Sequence, residues 1–478
     1  MNKYKKLAFN TVIFTIGNFG AKFFSLFLNN LYTKHINPSG LYAKDLLEHL
    51  VGFILPIFTF SLTEAVIRYG LDNKYDKKEI FTTAGGITLF GFLLMLPVIP
   101  FLHMIPILSP ITGYSALLFI YVCTSALRAL CAHFVRARNM VTLFSLDGML
   151  TTMTLFIFNI VFISHLGLGV KGFMISTILS DTCSIIFLFI SARLGRFIDR
   201  SCFSRPLGKS MLQFSLPLIP TTVMWGVTGF SDEVFIGNMK SNTSFLGEQA
   251  AGIYTAATKI PNIISMLSTI FLNAWNMSAI MENDSKDRNY FYSKVYEAYE
   301  SILFIGSAAL ILLIKPVSAI LINYSQYPEY KTSYLYSPLL IAAAVFTCMN
   351  LFLAGIYTAT KHTKNAFFSI SVVAVVNIIL NLELIPPLGI QGAAFATFLS
   401  YLLCYCIRMI DARYYVPFNF SLLRTALNTI LLLLMCIPVI FEFRGCIVWE
   451  IILTAAVTAL NYNSLVTAAK KLLNRQPE

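Results

Sequence analysis

Thr11, Thr15, Asn18, Lys22, Ser25 and Asn29 recur three or four positions apart in an otherwise apolar stretch near the start of the chain. On a helix that spacing gathers them on one face. Thr255, Thr258, Asn262, Ser265, Thr269, Asn273 and Asn276 repeat the rhythm, with Lys259 beside them. A cation in an apolar helix must face protein or trapped water, because lipid offers it no partner. The stripes read either as the lining of a polar path or as interhelical packing in which each hydroxyl bonds its own backbone. Two long stripes, each accompanied by a Lys, favour the path.

Further ionisable residues fall in or near apolar segments: Glu64, Arg68, Arg128, Asp147, Asp181, Asp232, Glu233 and Glu383. Leaving one unpaired in a membrane costs roughly 3 kcal/mol on insertion scales, so each needs a partner or water. Structural ion pairing is one reading. The other makes Glu64, Asp147, Asp181, Asp232 and Glu233 candidates for carrying H+ or Na+. Lys22, Arg68, Arg128 and Lys259, with Asn18, Asn262, Asn273 and Trp275, are the candidate substrate-binding residues of a polar cavity. There Arg offers an anion a bidentate fork and Lys a point charge. Trp275, like Trp225, sits well inside its segment and can stack on a sugar ring or simply pack. No catalytic residue, metal cluster or resident cofactor is expected. Gly208-Lys209-Ser210 resembles the end of a phosphate loop, but Phe203 occupies the position of its first glycine.

The elements that must hold these residues follow from composition. Hydrophobic residues make up 57% of the 478 and charged residues only 12%, with a mean hydropathy of +0.71. That excludes an ordinary soluble domain and predicts an all-α polytopic membrane protein. With roughly 20 residues per span, about fourteen transmembrane helices are expected. They lie near residues 7–31, 42–66, 80–103, 111–133, 141–163 and 171–192, then 210–237, 250–280, 295–322, 334–357, 365–386 and 389–409, with 420–441 and 446–467 last. Pro217, Pro220 and Pro261 remove backbone donors and are expected to kink the seventh and eighth spans. Lys22 interrupts the first apolar run and no cleavage site follows, so that run reads as a retained span. The nine cysteines lack metal-ligand pairing and fall mainly within spans.

The net charge of +12 is spread over short loops, which points to topology and away from nucleic acid. With a cytoplasmic N terminus, the inner loops collect most of the basic residues, including Arg408, Arg424 and the cluster at 192–210. The outer loops hold only Lys34, Lys44, Lys171, Lys240, Lys331 and Arg444, a bias of about four to one. Both termini are then cytoplasmic.

Residues 158–180 (FNIVFISHLGLGVKGFMISTILS) and 376–400 (VNIILNLELIPPLGIQGAAFATFLS) form a weak repeat once the second is allowed two extra residues. Asn159 aligns with Asn377, Gly169 with Gly389, Gly172 with Gly392, Thr177 with Thr397 and Ser180 with Ser400. Lying in the fifth and sixth and the eleventh and twelfth spans, the copies suggest two six-helix bundles of like orientation, 1–200 and 201–412. Residues 413–478 add two helices and a tail. The striped first and eighth helices then contribute one face from each bundle to a central cavity.

Four segments resemble the bacterial polysaccharide transporters, flippases of lipid-linked oligosaccharides within the multidrug, oligosaccharidyl-lipid and polysaccharide exporter superfamily. They are FSLPLIPTTVMWGVTGFSDEVFI (214–236), GIYTAATKIPNIISMLSTIFLNAWNMSAI (252–280), LTEAVIRYG (62–70) and NIILNLELIPPLGIQGAAFATFLSY (377–401). The resemblance implies a V-shaped pair of bundles, alternating access, and an undecaprenyl-pyrophosphate-linked glycan as cargo. Family members often carry a basic residue after the Ser-Asp pair, whereas Glu233 follows Ser231-Asp232 here. That leaves Lys22, Arg68, Arg128 and Lys259 as the phosphate-contact candidates.

The expected activity is a flippase of the bacterial cytoplasmic membrane, moving lipid-linked repeat units outward for surface polysaccharide. A polysaccharide polymerase and glycosyltransferases of the same pathway are its candidate partners, besides membrane lipids. A peptidoglycan-precursor flippase or multidrug exporter of the same superfamily is the nearest alternative. A membrane polymerase or ligase is the enzymatic one, disfavoured by short outer loops poor in charge. A scaffold would give no reason for charged stripes.

Overall fold

The computed structural model describes residue 24 and residues 26–72, 74–282, 286–360, 362–443 and 445–473, and among them every regular element is a helix. In chain order these are α1 (26–35), α2 (Pro38–Phe58), α3 (Leu62–Leu71), α4 (Lys77–Met95), α5 (Ser115–Ala137), α6 (Val141–Asn159), α7 (Gly169–Ser191), α8 (Arg205–Ser215) and α9 (Ile219–Asn238). There follow α10 (Glu248–Thr258), α11 (Asn262–Glu282), α12 (Arg288–Leu312), α13 (Ile314–Leu321), α14 (Ser337–Ala359), α15 (Thr363–Leu388), α16 (Ile390–Tyr415), α17 (Leu422–Ile440) and α18 (Cys446–Leu473). Each expected span corresponds to one helix or one interrupted helix, the first only over its described part. Among the described residues nine helices are long and apolar enough to cross a membrane, or ten if the bent pair α2 and α3 is one span. The chain is a polytopic, all-α membrane protein.

Helix starts follow local chemistry. The Asn37 side chain accepts from the Gly40 amide with Pro38 in the first turn, and Asp76 accepts from the Lys78 amide. Such caps satisfy amides that the helix itself cannot. The interruptions have equally local causes. Before Pro261 the chain tightens into i→i+3 bonds, Lys259 N to Ala256 O and Ile260 N to Ala257 O. Pro217 sits in a short 3₁₀ turn, Leu216–Leu218, that separates α8 from α9. Both breaks fall where the missing proline donor would have left a carbonyl unpaired. Between α2 and α3 the axis bends by 55°, with Phe60 and Ser61 left-handed at φ 54° and 50°.

Contacts divide the chain into two compact units, Met1–Phe230 and Ser231–Glu478, so the division falls inside α9, beyond the boundary expected at 200. In the first unit α5 packs against α3, α6 and α7, and Leu62, Phe81, Leu130, Phe134 and Leu188 meet in one apolar core. In the second unit α14 is the hub: 83% of its spanning window is buried, and it packs on α11, α12, α16 and α17. The last two helices pack on α12 and on each other, as part of the second unit.

The repeat is visible in backbone geometry. Gly169 and Gly389 both turn the chain between a helix pair with positive φ, 51° and 60°. Three residues later Gly172 and Gly392 let backbones touch, since a Cβ would lie 2.9 Å from the Phe162 carbonyl oxygen or 2.1 Å from that of Leu384. The trios α5, α6, α7 and α14, α15, α16 follow the same order, and the second span of each unit is interrupted, at 59–61 and at 259–261.

Three basic residues expected in loops lie inside helices. Lys44 is buried in α2, because Asn37 and Pro38 start that helix earlier than its hydropathy suggests. Arg408 is buried in α16, and Arg424 belongs to α17, paired with buried Glu300 of α12. Hydropathy ends a helix at the first charge, whereas the fold continues it when a partner is present.

Because the clash at Gly392 is with backbone, Gly392→Ala should lower the stability of the purified protein by about 1–3 kcal/mol. Gly85→Ala, where nothing lies within 4 Å of the added carbon, should leave it unchanged or slightly raised. Thermal unfolding in detergent checks the pair.

Candidate functional site

Asp232 of α9 is buried, 5% exposed, and four donors from three other helices converge on it. The Tyr254 hydroxyl of α10 donates to Oδ2 at 2.6 Å, joined there by the Thr397 hydroxyl of α16. Asn381 Nδ2 of α15 donates to Oδ1 at 2.6 Å, and Asn377 Nδ2, one helical turn earlier, reaches it at 3.3 Å. Ser231 donates to Asn377 Oδ1 at 2.7 Å. Asn381 Oδ1 is buried with no hydrogen-bond partner among the described residues. Amide oxygen and nitrogen exchange places by a half turn. With both amides turned over, their oxygens would join those of Asp232 and Thr397 around one point. Such an all-oxygen arrangement is of the kind hard cations take.

The first unit holds a second buried carboxylate cluster. Arg128 of α5 lies between Asp147 of α6 at 3.5 Å and Asp181 of α7 at 3.8 Å. The hydroxyl of Ser184 links Arg128 to Asp147, and that of Ser125 bonds Asp181. One guanidinium faces two carboxylates, so the cluster is short of one positive charge. The Arg128 side chain is 31% exposed on the outer face of the cluster. Nearby α2 carries a triad that the sequence reading left in a loop: Lys44 Nζ binds Asp45 at 2.9 Å and Glu48 at 2.8 Å. It also stands 4.8 Å from the ring centres of both Tyr32 and Phe173. The Lys-Asp-x-x-Glu spacing was the available signal.

The other candidates are dispersed. Lys22 and Asn18 lie outside the described residues. Arg68 is exposed on α3 over the Phe214 ring, with Glu64 exposed one turn before it. Lys259 sits at the break after α10, half-buried, and Asn262 opens α11, exposed. Asn273 lies within α11. Glu233 is buried beside Asp232 in sequence, and Glu383 is exposed. The expected single stripe of the eighth span is divided by the break at 259–261. Thr255 points into the core, while Thr258 and Thr269 bond carbonyls of their own helices.

Trp275 is packed. Its indole is 2% exposed, donates to the Phe352 carbonyl at 3.0 Å and stacks on the Phe352 ring at 4.0 Å. Arg408 is likewise internal, donating to the carbonyls of Asn350 and Ala366 and to the Ser369 hydroxyl. Sequence reasoning missed Tyr254 and Asn381, and it found Asn377 and Thr397 only as repeat positions. Their shared distance from Asp232 along the chain left no local signal.

Two units of repeated helix order, holding carboxylate clusters inside apolar spans, define a multi-pass membrane protein with ionisable groups kept within the bilayer. The chain belongs to the polysaccharide biosynthesis protein family, whose model matches residues 40–329. No curated protein matches it. Among solved structures it is similar to a lipid II flippase MurJ in an inward closed conformation, at TM-score 0.68 and 16% identity over 97% of this chain and 100% of that one. It is also similar to a multidrug resistance MATE family transporter of the MOP superfamily in two conformations. The inward-facing form gives TM-score 0.64 and 14% identity over 83% of this chain and 95% of that one. The outward-facing form gives 0.60 and 15% over 85% and 95%. These likenesses establish the fold.

Removing the Trp275 ring should act on stability. Trp275→Ala is expected to cost about 3–5 kcal/mol, while Trp275→Phe retains most of the stacking. Melting curves of the two variants in detergent read the difference.

Proposed function

We propose that the protein is a flippase that moves undecaprenyl-pyrophosphate-linked oligosaccharide repeat units across the bacterial cytoplasmic membrane by alternating access, for surface polysaccharide biosynthesis. Membership of the polysaccharide biosynthesis family is the observation that carries this reading. The repeated helix order supports the mode of transport, since repeated bundles change access by rocking as rigid bodies. The concentration of basic residues on one set of loops supports cytoplasmic termini. The cargo pyrophosphate is met by Lys22, Arg68 and Lys259, with Arg128 contributing only when its two carboxylates are protonated or cation-bound. Asn18, Asn262 and Asn273 supply hydrogen bonds to the glycan. Polymerase and glycosyltransferases of the same pathway are the proposed partners.

Transport is coupled to H+ or Na+ at Asp232, whose four donors make one carboxylate the meeting point of α9, α10, α15 and α16. Occupation or release there changes what holds four helices together. Asp147 and Asp181 form the corresponding site of the first unit; Glu233 and Glu64 are secondary candidates. The similarity to MurJ along nearly the whole chain favours a peptidoglycan-precursor flippase as the second reading. Depletion in cells separates the two by which lipid-linked intermediate accumulates on the inner leaflet.

In vesicles loaded with a defined pyrophosphate-linked glycolipid, Asp232→Asn should abolish the dependence of leaflet exchange on the Na+ or pH gradient, with insertion intact. An unchanged gradient response would remove Asp232 from the coupling. Lys22→Ala and Arg128→Ala should each lower export of surface polysaccharide at least about tenfold, the scale of one lost charge-assisted hydrogen bond. Normal polysaccharide from both would sink the assignment of these residues to the transport path.

A further inference from the structure

An apolar cavity of about 750 Å³ lies within the first unit, within the range typical of small-molecule sites. Its walls come from three membrane-spanning helices: Phe81 and Leu89 of α4, Leu127 and Leu130 of α5, and Ile185 and Phe189 of α7. Gly85 and Gly86 replace side chains along the α4 wall, and a Cβ at Gly85 would meet nothing within 4 Å. Leu89, Ile198 and Phe203 are exposed at 56%, 54% and 45%, so the cavity opens at the surface of the unit. In a bilayer the molecules available to fill an apolar slot between spans are lipids.

The segment that roofs the cavity, residues 192–204, is fixed to the helices beneath. Thr82 donates to the Phe197 carbonyl at 2.9 Å and accepts from the Asp199 amide at 3.1 Å, and Thr83 accepts from the Ser204 amide at 3.0 Å. Arg138 ties the other end through the Ala192 carbonyl at 3.1 Å and lies 4.6 Å from the Phe197 ring centre. Between these clips Arg200 stands on the cavity wall, exposed, without a carboxylate or hydrogen-bond partner among the described residues. Asp199, next to it in sequence, accepts from the amide and hydroxyl of Ser201, and Asp76 caps α4. Asp76 and Glu79 line an adjoining surface cleft that shares Phe203 with the cavity and holds Arg205. Within 192–210 the basic residues Arg193, Arg196, Arg200, Arg205 and Lys209 outnumber one acid, Asp199, and with Asp76 and Glu79 of the neighbouring cleft counted the surroundings still carry a net positive charge.

We propose that this cavity is a binding site for an anionic phospholipid, one acyl chain lying between α4, α5 and α7 and the headgroup phosphate on Arg200. An exposed cation at the mouth of an apolar slot matches an amphiphile with a negative head, and basic segments at membrane surfaces select anionic lipids. The site belongs to the first unit alone and is separate from the residues assigned to cargo and coupling ions. The bound lipid wedges the basic roof to the helices that carry Arg128 and Asp181.

Native mass spectrometry of the full chain tests this, after equilibration with vesicles of equal phosphatidylglycerol and phosphatidylcholine. The wild type should retain phosphatidylglycerol over phosphatidylcholine by roughly fivefold, the effect of one basic residue at the surface. Arg200→Gln should keep a lipid but lose the preference. Gly85→Phe, at a cavity-lining position where an added Cβ meets nothing within 4 Å, should lose both lipids while melting at the wild-type temperature. Should that variant fail to fold, Leu127→Trp fills the same space from α5. Equal retention of the two lipids by the wild type, a persistent preference in Arg200→Gln, or undiminished lipid in a folded filling variant would each overturn the proposal. So would adducts with the mass of a polyprenyl pyrophosphate, which would give the cavity to cargo.

Discussion

A charge inside a bilayer has only the protein to answer it, and the interior of this molecule is organised around such answers. Asp232 gathers four donors, Arg408 three acceptors, and Lys44 two carboxylates and two aromatic faces. Each arrangement draws residues from separate helices or successive turns, so the polar groups fix helix neighbours where apolar contact with lipid and with protein are nearly equivalent. Leaving any of them unmatched costs several kcal/mol. Helix packing and charge placement are therefore one problem with one solution.

That economy also separates two kinds of buried charge. Arg408, held by carbonyls and a hydroxyl, and the Glu300 to Arg424 pair, one anion against one cation, are balanced systems. Asp232 and the Arg128 cluster are open: the first joins uncharged donors to a lone carboxylate, and the second sets one cation against two anions. Only open systems have something to gain from a proton or a cation.

The all-helical membrane class, the sequence of spans and the repeat were legible because hydropathy and glycine placement are local. Gly169 and Gly389 stood out as repeat positions and both turn out to carry positive φ, and the kinks expected at Pro217 and Pro261 fall at breaks. Lys44, Arg408 and Arg424 were misplaced in loops because a charge looks like a helix end until its partner is known. The partners of Asp232 lie up to 165 positions away, beyond any periodicity. Trp275 shows the converse: its depth in the span was evident, but only Phe352, from another helix, shows that its ring packs.

The broken second spans have a mechanical consequence. Where Gly172 and Gly392 bring backbones into contact, the helix hairpins have no slack and behave as stiff struts. The two stretches at 59–61 and 259–261 are different, because there the regular i→i−4 ladder gives way: Phe60, Lys259 and Ile260 bond three residues back, Ser61 five, and Pro261 has no amide to give. Strain arriving from either end of these spans will collect at those joints, leaving the half on each side free to tilt without unwinding. The protein thus places an interrupted helix in the second span of each unit, at residues that proline and left-handed backbone mark in the sequence and the structure.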